Sequence, residues 1–215
     1  IEQLRKRVQA VCDELLSKVE TTPTFDLIKD FAMPLPLTIM AEILGIPAAE
    51  RRILHSRTQS SLTPSTIPEV LRAVPDQRLV TLQIRKLIKM RRREPGDDLI
   101  TALVQAGAEG ELNEDELIAT IFFFVIAGHE TTINLIGGGV LALMQNHHER
   151  ERFKVNSMIH ESAIEELLRY TSPLDLATHR FAREDMVIDS VKISRGDALF
   201  AVLGSANRDE SEFPN

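Results

Sequence analysis

Six consecutive residues carry most of the chemistry this sequence can do: Ala127, Gly128, His129, Glu130, Thr131 and Thr132. Thr131 stands four positions after Ala127, so its hydroxyl can bond back to the Ala127 carbonyl, which loosens and bends a helix. Gly128 removes a side chain from the same turn, so a flat ligand or a small gas could approach the backbone closely. Glu130 adds a proton donor or acceptor beside that opening. A carboxyl and a hydroxyl on a widened turn, walled by Phe and Ile, can deliver protons. These residues alone leave the other reading open, a core helix with a satisfied polar notch. Zinc proteolysis is excluded by spacing. His129-Glu130 needs a second His where Ile133 stands, and His160-Glu161 meets Ile164 at the equivalent place.

The stretch that must position these residues is Leu117–Met144, apolar ahead of the hexapeptide (Ile121 to Ile126) and behind it (Leu135-Ile136, Val140 to Met144). A helix hydrophobic nearly all round is either a membrane span or the strut of a globular core. His129, Glu130 and Asn134 in mid-span, without a basic flank, favour a strut buried in protein and no membrane. Asn113 and Glu116 read as a cap with its reciprocal acid, so the helix starts near Glu114. Running to Asn146, it would form one rod of roughly 50 Å at ~1.5 Å per residue. The Gly137-Gly138-Gly139 run costs roughly 1 kcal/mol per residue against Ala, so something has to pack close to it.

Before the rod, Leu4, Val8, Val11, Leu15 and Val19 mark an amphipathic helix, with Cys12 as a small residue beside the apolar stripe. Phe25 to Phe31 reads as a short helix closed by Pro34 and Pro36. Leu37 to Leu44 follows, stopped at Gly45 and Pro47, and a further helix runs from Ala48 to about Ser60. Ser61 to Pro75, with Pro64 and Pro68, reads as a loop. Asp76 to Arg93 is helical, and its Arg91-Arg92-Arg93 end reads as a solvated tail favoured by the dipole. Asp97 or Asp98 caps a helix to Gln105. After the rod, His147-His148 reads as an exposed turn, and helices resume from Glu149 to Tyr170. Beyond Pro173 the pattern changes to strands at Leu176–Phe181, Met186–Ile188, Val191–Ile193 and Ala198–Leu203. The fold class is mainly α with a small antiparallel sheet near the C-terminus.

Composition bounds the function. With 43% hydrophobic and 27% charged residues the chain suits a globular protein. Twenty-five basic against thirty-two acidic residues, a net charge of −7, argue against nucleic acid as a partner. One cysteine excludes an internal disulfide and fits the reducing cytoplasm. The opening reads as an amphipathic helix rather than a secretory leader.

An E-x-x-R such as Glu166 to Arg169 is common as an i,i+3 ion pair. The order of several segments is more specific: Phe31-Ala-Met-Pro-Leu-Pro-Leu into Ala41-Glu-Ile-Leu-Gly-Ile-Pro, then Ala127-Gly-His-Glu-Thr-Thr, then Glu165-Glu-Leu-Leu-Arg-Tyr with Ser172-Pro173 and Arg180, and last Leu203-Gly-Ser-Ala-Asn-Arg-Asp. In this order the sequence resembles the bacterial-type soluble cytochrome P450 family over essentially its whole length. The resemblance implies a haem monooxygenase that hydroxylates or epoxidises a small organic substrate with dioxygen. Electrons would come from a ferredoxin- or flavodoxin-type donor, since no flavin or nicotinamide motif is present. It implies that Ala127, Gly128, Thr131 and Thr132 lie against the haem and that Glu130 and Thr131 relay protons. Glu166 and Arg169 would form a buried ion pair, and Arg180 would meet a haem propionate. Ala127, Leu174, Asp175, Leu176 and Thr178, with the Ser61 to Pro75 loop, would line the substrate.

The departures also matter. The family's iron ligand is a Cys thiolate, expected beyond Asn215, so no metal ligand is expected in this chain; Cys12, on the first helix, cannot stand in. The family's earlier helices are missing, and His148 replaces a proline usual at its turn. Residues 1–215 are therefore expected to be one partial, incomplete domain that by itself neither retains haem nor turns over. A rival of another class is a catalytically inactive binding or recruitment domain of the same fold. Glu130 and Thr131 favour the enzyme, since docking needs no such pair. A plain helical interaction protein would explain the rod and not its notch.

Overall fold

The stripe of the opening residues forms α1 (Glu2–Val19), which buries Val11, Leu15 and Val19. The computed structural model describes residues 2–47, 50–51 and 67–213. They divide into two compact units, Ile1–Ile133 and Asn134–Asn215. In the first, α1 packs on a single π-helical turn, Leu27–Ala32, and on α2 (Pro34–Ile43). The Asp26 carboxylate opens the π turn by accepting the Ile28 and Lys29 amides at 2.9 and 3.0 Å. Pro34 does not close that turn, as expected from sequence; it starts α2, where a missing N–H is no loss.

Helix α3 (Ile67–Arg93) begins well before Asp76, so the expected loop does not extend to Pro75. Pro68 falls in the first turn, where no donor is needed, and Pro75 is carried inside the helix at the loss of one backbone bond. Residues 61–66 of that loop lie outside the described residues, as does the expected helix from Ala48 to Ser60 apart from helical Glu50 and Arg51. Asp98 caps α4 (Leu99–Ala108), accepting the Thr101 amide at 2.8 Å. The Asn113–Glu116 box opens α5 (Glu114–Ala127). The end of α2 joins α3, α4 and α5 around a core whose fully buried members include Leu44, Ile84, Leu87, Ile88, Ile100, Leu117 and Ile121. Arg91 is not part of a solvated tail. Its Nε lies 2.6 Å from Asp98 Oδ2, and its Nη2 donates to the Gly45 carbonyl at 2.8 Å.

The expected rod is not continuous. α5 stops at Ala127 and α6 (Glu130–Gln145) starts after a turn at Gly128 and His129. The span Glu114–Gln145 is long and apolar enough to cross a membrane by length and composition, and 28% of its apolar window is buried. Among the described residues the rod is therefore only partly enclosed, with Phe123, Leu141 and Met144 exposed.

In the second unit the glycine run does what its cost implied. A Cβ on Gly138 would stand 3.2 Å from Thr171, and one on Gly139 would stand 3.5 Å from Leu167, so α8 (His160–Thr171) lies close on α6. Between them, α7 (His147–Val155) begins at the two histidines, which are exposed as its first turn rather than as a loop. Ser172 ends α8 in the left-handed region (φ 40°), with Pro173 unable to continue the helix. Two strands match their predicted bounds, Met186–Ile188 and Val191–Ile193, and the other two are shorter than the pattern predicted. β1 (Arg180–Phe181) pairs antiparallel with β4 (Ala198–Leu199), and β2 (Met186–Ile188) pairs with β3 (Val191–Ile193). Leu176 and Val202 form an isolated bridge, and Leu203 already belongs to α9 (Leu203–Ala206). The sheet is thus two two-stranded ribbons.

Candidate active site

The joint between α5 and α6 is the centre of the site. The Gly128 amide still makes the regular bond to the Phe124 carbonyl at 3.2 Å, and the ladder slips at the next residue, where the His129 amide reaches Ile126 at 3.5 Å. A regular helix would have brought the His129 amide to Val125. The Val125 carbonyl instead accepts the His129 side chain through Nδ1 at 2.5 Å. Two residues on, the Ala127 carbonyl accepts the Thr131 hydroxyl at 3.2 Å, as the four-residue spacing predicted. Two carbonyls at the slipped turn are each satisfied by a side chain, so the notch is stable and widened at once.

His129 is buried, at 3% exposure, whereas Glu130, Thr131 and Thr132 are half-buried and Ala127 is exposed. Gly128 differs from its sequence reading. A Cβ there would fall 2.5 Å from Met40 Sδ, so the space that glycine leaves is filled by α2 and is not open to a flat ligand. Its smallness serves the packing of α2 on the joint. Nothing in the residue types alone could have shown this, because Met40 lies far away in sequence.

The remaining candidates fall in the second unit. Arg169 and Glu166 form the expected pair, with Nε and Nη2 donating to the two carboxylate oxygens at 2.7 and 2.5 Å. The pair is not buried among the described residues: the Glu166 side chain is 57% exposed and that of Arg169 24%. Glu166 sits on a face of α8 open to solvent, while Arg169 turns the other way, donating to the Asn207 carbonyl and lying 4.9 Å over the Phe213 ring. Asn207 in turn donates through Nδ2 to the buried Ser172 hydroxyl at 2.8 Å. The clamp at Asn207 shows in the sequence through its place in the Leu203 to Asp209 segment and through no other signal. Arg180 is exposed, and its Nη1 donates to the Thr178 hydroxyl at 2.5 Å. Leu174 and Leu176 are about half exposed, and the Asp175 carboxylate stands where a side chain on Gly204 would be.

The hydrogen bond from Arg169 holds the Glu166 carboxyl below the usual glutamate range. A lowered folded-state value means that the contribution is present at neutral pH and is lost as pH falls through that lowered value. Because Arg169 also fastens residues 207–213, Arg169→Ala is expected to speed amide exchange there by about tenfold or more. Glu166→Ala, which removes the solvent-facing partner, should speed it much less. Equal effects in an exchange experiment would contradict this division.

These residues fit one wall of a haem site. Exposed Ala127 presents only a methyl, and the Thr131 hydroxyl and Glu130 carboxylate gather at the same turn. They do not supply an iron ligand. No cluster of His, Cys, Asp or Glu suited to a metal exists among the described residues, and burial pushes the Cys12 thiol up, away from thiolate.

A family model described as Cytochrome P450 matches residues 59–215. A cytochrome P450 of Bacillus subtilis (strain 168) is 39% identical over 216 residues, covering 99% of this chain and 52% of the relative. The polyketide biosynthesis cytochrome P450 PksS of the same organism is 41% identical over 218 residues, covering 100% of this chain and 53% of its own. The crystal structure of P450BioI in complex with hexadec-9Z-enoic acid ligated acyl carrier protein matches with a TM-score of 0.92 and 32% identity, covering 100% of this chain and 56% of that one. The chain spans about half the length of the curated relatives it matches.

Proposed function

The chain belongs to the cytochrome P450 family, and from that premise we propose that the whole protein is a cytoplasmic haem-thiolate monooxygenase. It places one atom of dioxygen into a C–H or C=C bond of a small organic substrate. The second atom leaves as water, using two electrons from a ferredoxin- or flavodoxin-type donor and two protons. The haem supplies the place where dioxygen binds and is reduced. This chain supplies the distal wall and the protons.

The Thr131 hydroxyl rests on the Ala127 carbonyl at 3.2 Å, longer than the usual 2.7–2.8 Å of an O–H···O bond. Such a bond is weak, so the hydroxyl can turn its proton outward at small cost and be refilled. Glu130, half-buried in the first turn of α6, reaches both the interior and water and can carry the replacement proton. Ala127 keeps the turn low so that substrate and dioxygen fit beside it. Arg180 is free of carboxylate partners among the described ion pairs, which suits a propionate contact. PksS is named for polyketide biosynthesis, and the P450BioI structure holds a fatty acyl chain on a carrier protein. These relatives support an apolar acyl or polyketide-type substrate, for which Leu174 and Leu176 offer apolar contact.

The observation that carries the proposal is the Thr131–Ala127 bond across the slipped turn. The test is optical. The full-length protein, reduced and exposed to carbon monoxide, is expected to give a thiolate-type Soret band, and a long-chain fatty acid should perturb the resting spectrum. Absence of the thiolate-type band overturns the proposal. An unperturbed spectrum removes the acyl substrate alone. This chain of 215 residues is expected to give no such band.

A further inference from the structure

We infer that His129 is the positioning residue of the proton relay: its buried imidazole holds the α5–α6 joint open, so that Thr131 and Glu130 are presented where the relay needs them. The inference rests on the monooxygenase reading for its functional consequence, and on geometry alone for its structural one.

The acceptor at Val125 is a carbonyl, so the ring nitrogen facing it must be the donor, which fixes Nδ1–H. In a continuous helix the same carbonyl would accept the residue's own amide. The displaced amide makes a 3.5 Å contact with the Ile126 carbonyl. The imidazole therefore serves an acceptor that the backbone has left, and so lowers the cost of the open joint. Burial gives that service its weight, because Val125 is only 8% exposed and its carbonyl has little water to fall back on. His129 shares an apolar cavity wall with Val125, Met40, Leu44 and Leu37, and Met40 also presses on Gly128. Without the ring donor, the cheapest cure for the Val125 carbonyl is the regular backbone bond. Forming it would rewind the turn, straighten α5 into α6 and rotate Thr131 and Glu130 away from their present directions.

The same chain shows how such a donor can be replaced. At the end of α6 the Asn146 side chain donates through Nδ2 to the carbonyl four residues back, Ala142, at 2.9 Å, beside the Asn146 amide at 3.1 Å, so an asparagine reaches this acceptor whether or not its amide does. An asparagine Nδ2 and a histidine Nδ1 stand the same number of bonds from the backbone, so His129→Asn should keep the donation and His129→Phe should keep only the bulk.

The experiment uses the full-length, haem-loaded protein in three forms: unchanged, His129→Phe and His129→Asn. Amide exchange over residues 128–132 and product formed per electron consumed are measured on each. His129→Phe is expected to slow exchange at the joint by roughly tenfold as the helix rewinds, and to lower coupling by about tenfold or more. His129→Asn should match the unchanged protein in exchange and stay within about threefold in coupling. Unchanged exchange in His129→Phe, or a folded His129→Asn that behaves like His129→Phe, overturns the inference. If His129→Phe does not fold, His129→Asn decides: folded with native exchange and coupling supports it, folded without them sinks it. Exchange that follows the prediction while coupling stays constant in every form would keep the joint and remove the relay role. That outcome would count against the proposed function rather than the geometry.

Discussion

Thr131→Ala in the full-length protein is expected to retain haem and fold while product per electron falls by roughly ten- to a hundredfold, the lost electrons appearing as hydrogen peroxide. The physical reason lies in what the hydroxyl touches. It is half-buried and bonded to a carbonyl of an exposed residue, so removing it leaves an acceptor that water can satisfy, and the expected loss of stability is about 1 kcal/mol or less. Chemistry is affected far more than folding because dioxygen needs a proton at a defined place before the reduced species escapes. Serine keeps the hydroxyl and should recover most of the coupling; valine keeps the shape without the proton and should not. Normal coupling in the alanine variant would remove Thr131 from the mechanism, whatever the fate of the haem.

What could be read from the sequence follows interactions that are local along the chain. The Asn113–Glu116 box, the Thr131 to Ala127 bond and the closeness demanded by Gly138 and Gly139 all depend on spacings of a few residues or on the cost of glycine. Each is visible in the residue types. The differences arise from contacts between residues remote in sequence. Pro34 reads as a terminator and Pro68 as part of a loop, though proline at a helix start is as natural as after its end, and only the neighbours decide. Gly128 reads as an opening because Met40, which fills it, is remote in sequence. The Glu166–Arg169 pair was correctly joined, since i,i+3 geometry is local, yet its exposure depends on what covers α8. In the sequence His129 reads as half of a failed zinc motif and as a polar residue against a membrane span; that its ring serves the Val125 carbonyl depends on burial, which one sequence does not display.

The largest stability effect is expected at a residue the sequence hid inside a basic run. Arg91 is held at the meeting point of three helix ends. Its Nη2 donates to the Gly45 carbonyl after α2, and its Nε makes an off-axis charge contact with Asp98, which caps α4. The Asp98 side chain is 6% exposed and that of Arg91 19%. Gly45 has φ +70°, and both Gly45 and Gly96 leave the space that the Asp98 carboxylate fills. Removing the cation would strand a buried carboxylate with the Thr101 amide as its remaining described partner. Breaking such pairs one-sidedly costs roughly 3–5 kcal/mol; partial exposure of Arg91 places Arg91→Met near the lower end. Against a total of about 5–15 kcal/mol, that is enough to unfold much of a marginal population. Asp98→Asn keeps a capping oxygen and should cost less, about 1–2 kcal/mol. The double variant holds no unpaired buried charge, so chemical denaturation of the full-length protein should find it more stable than the sum of the two losses implies. Strict additivity would mean that the two side chains do not depend on one another, and the knot would then be packing rather than charge.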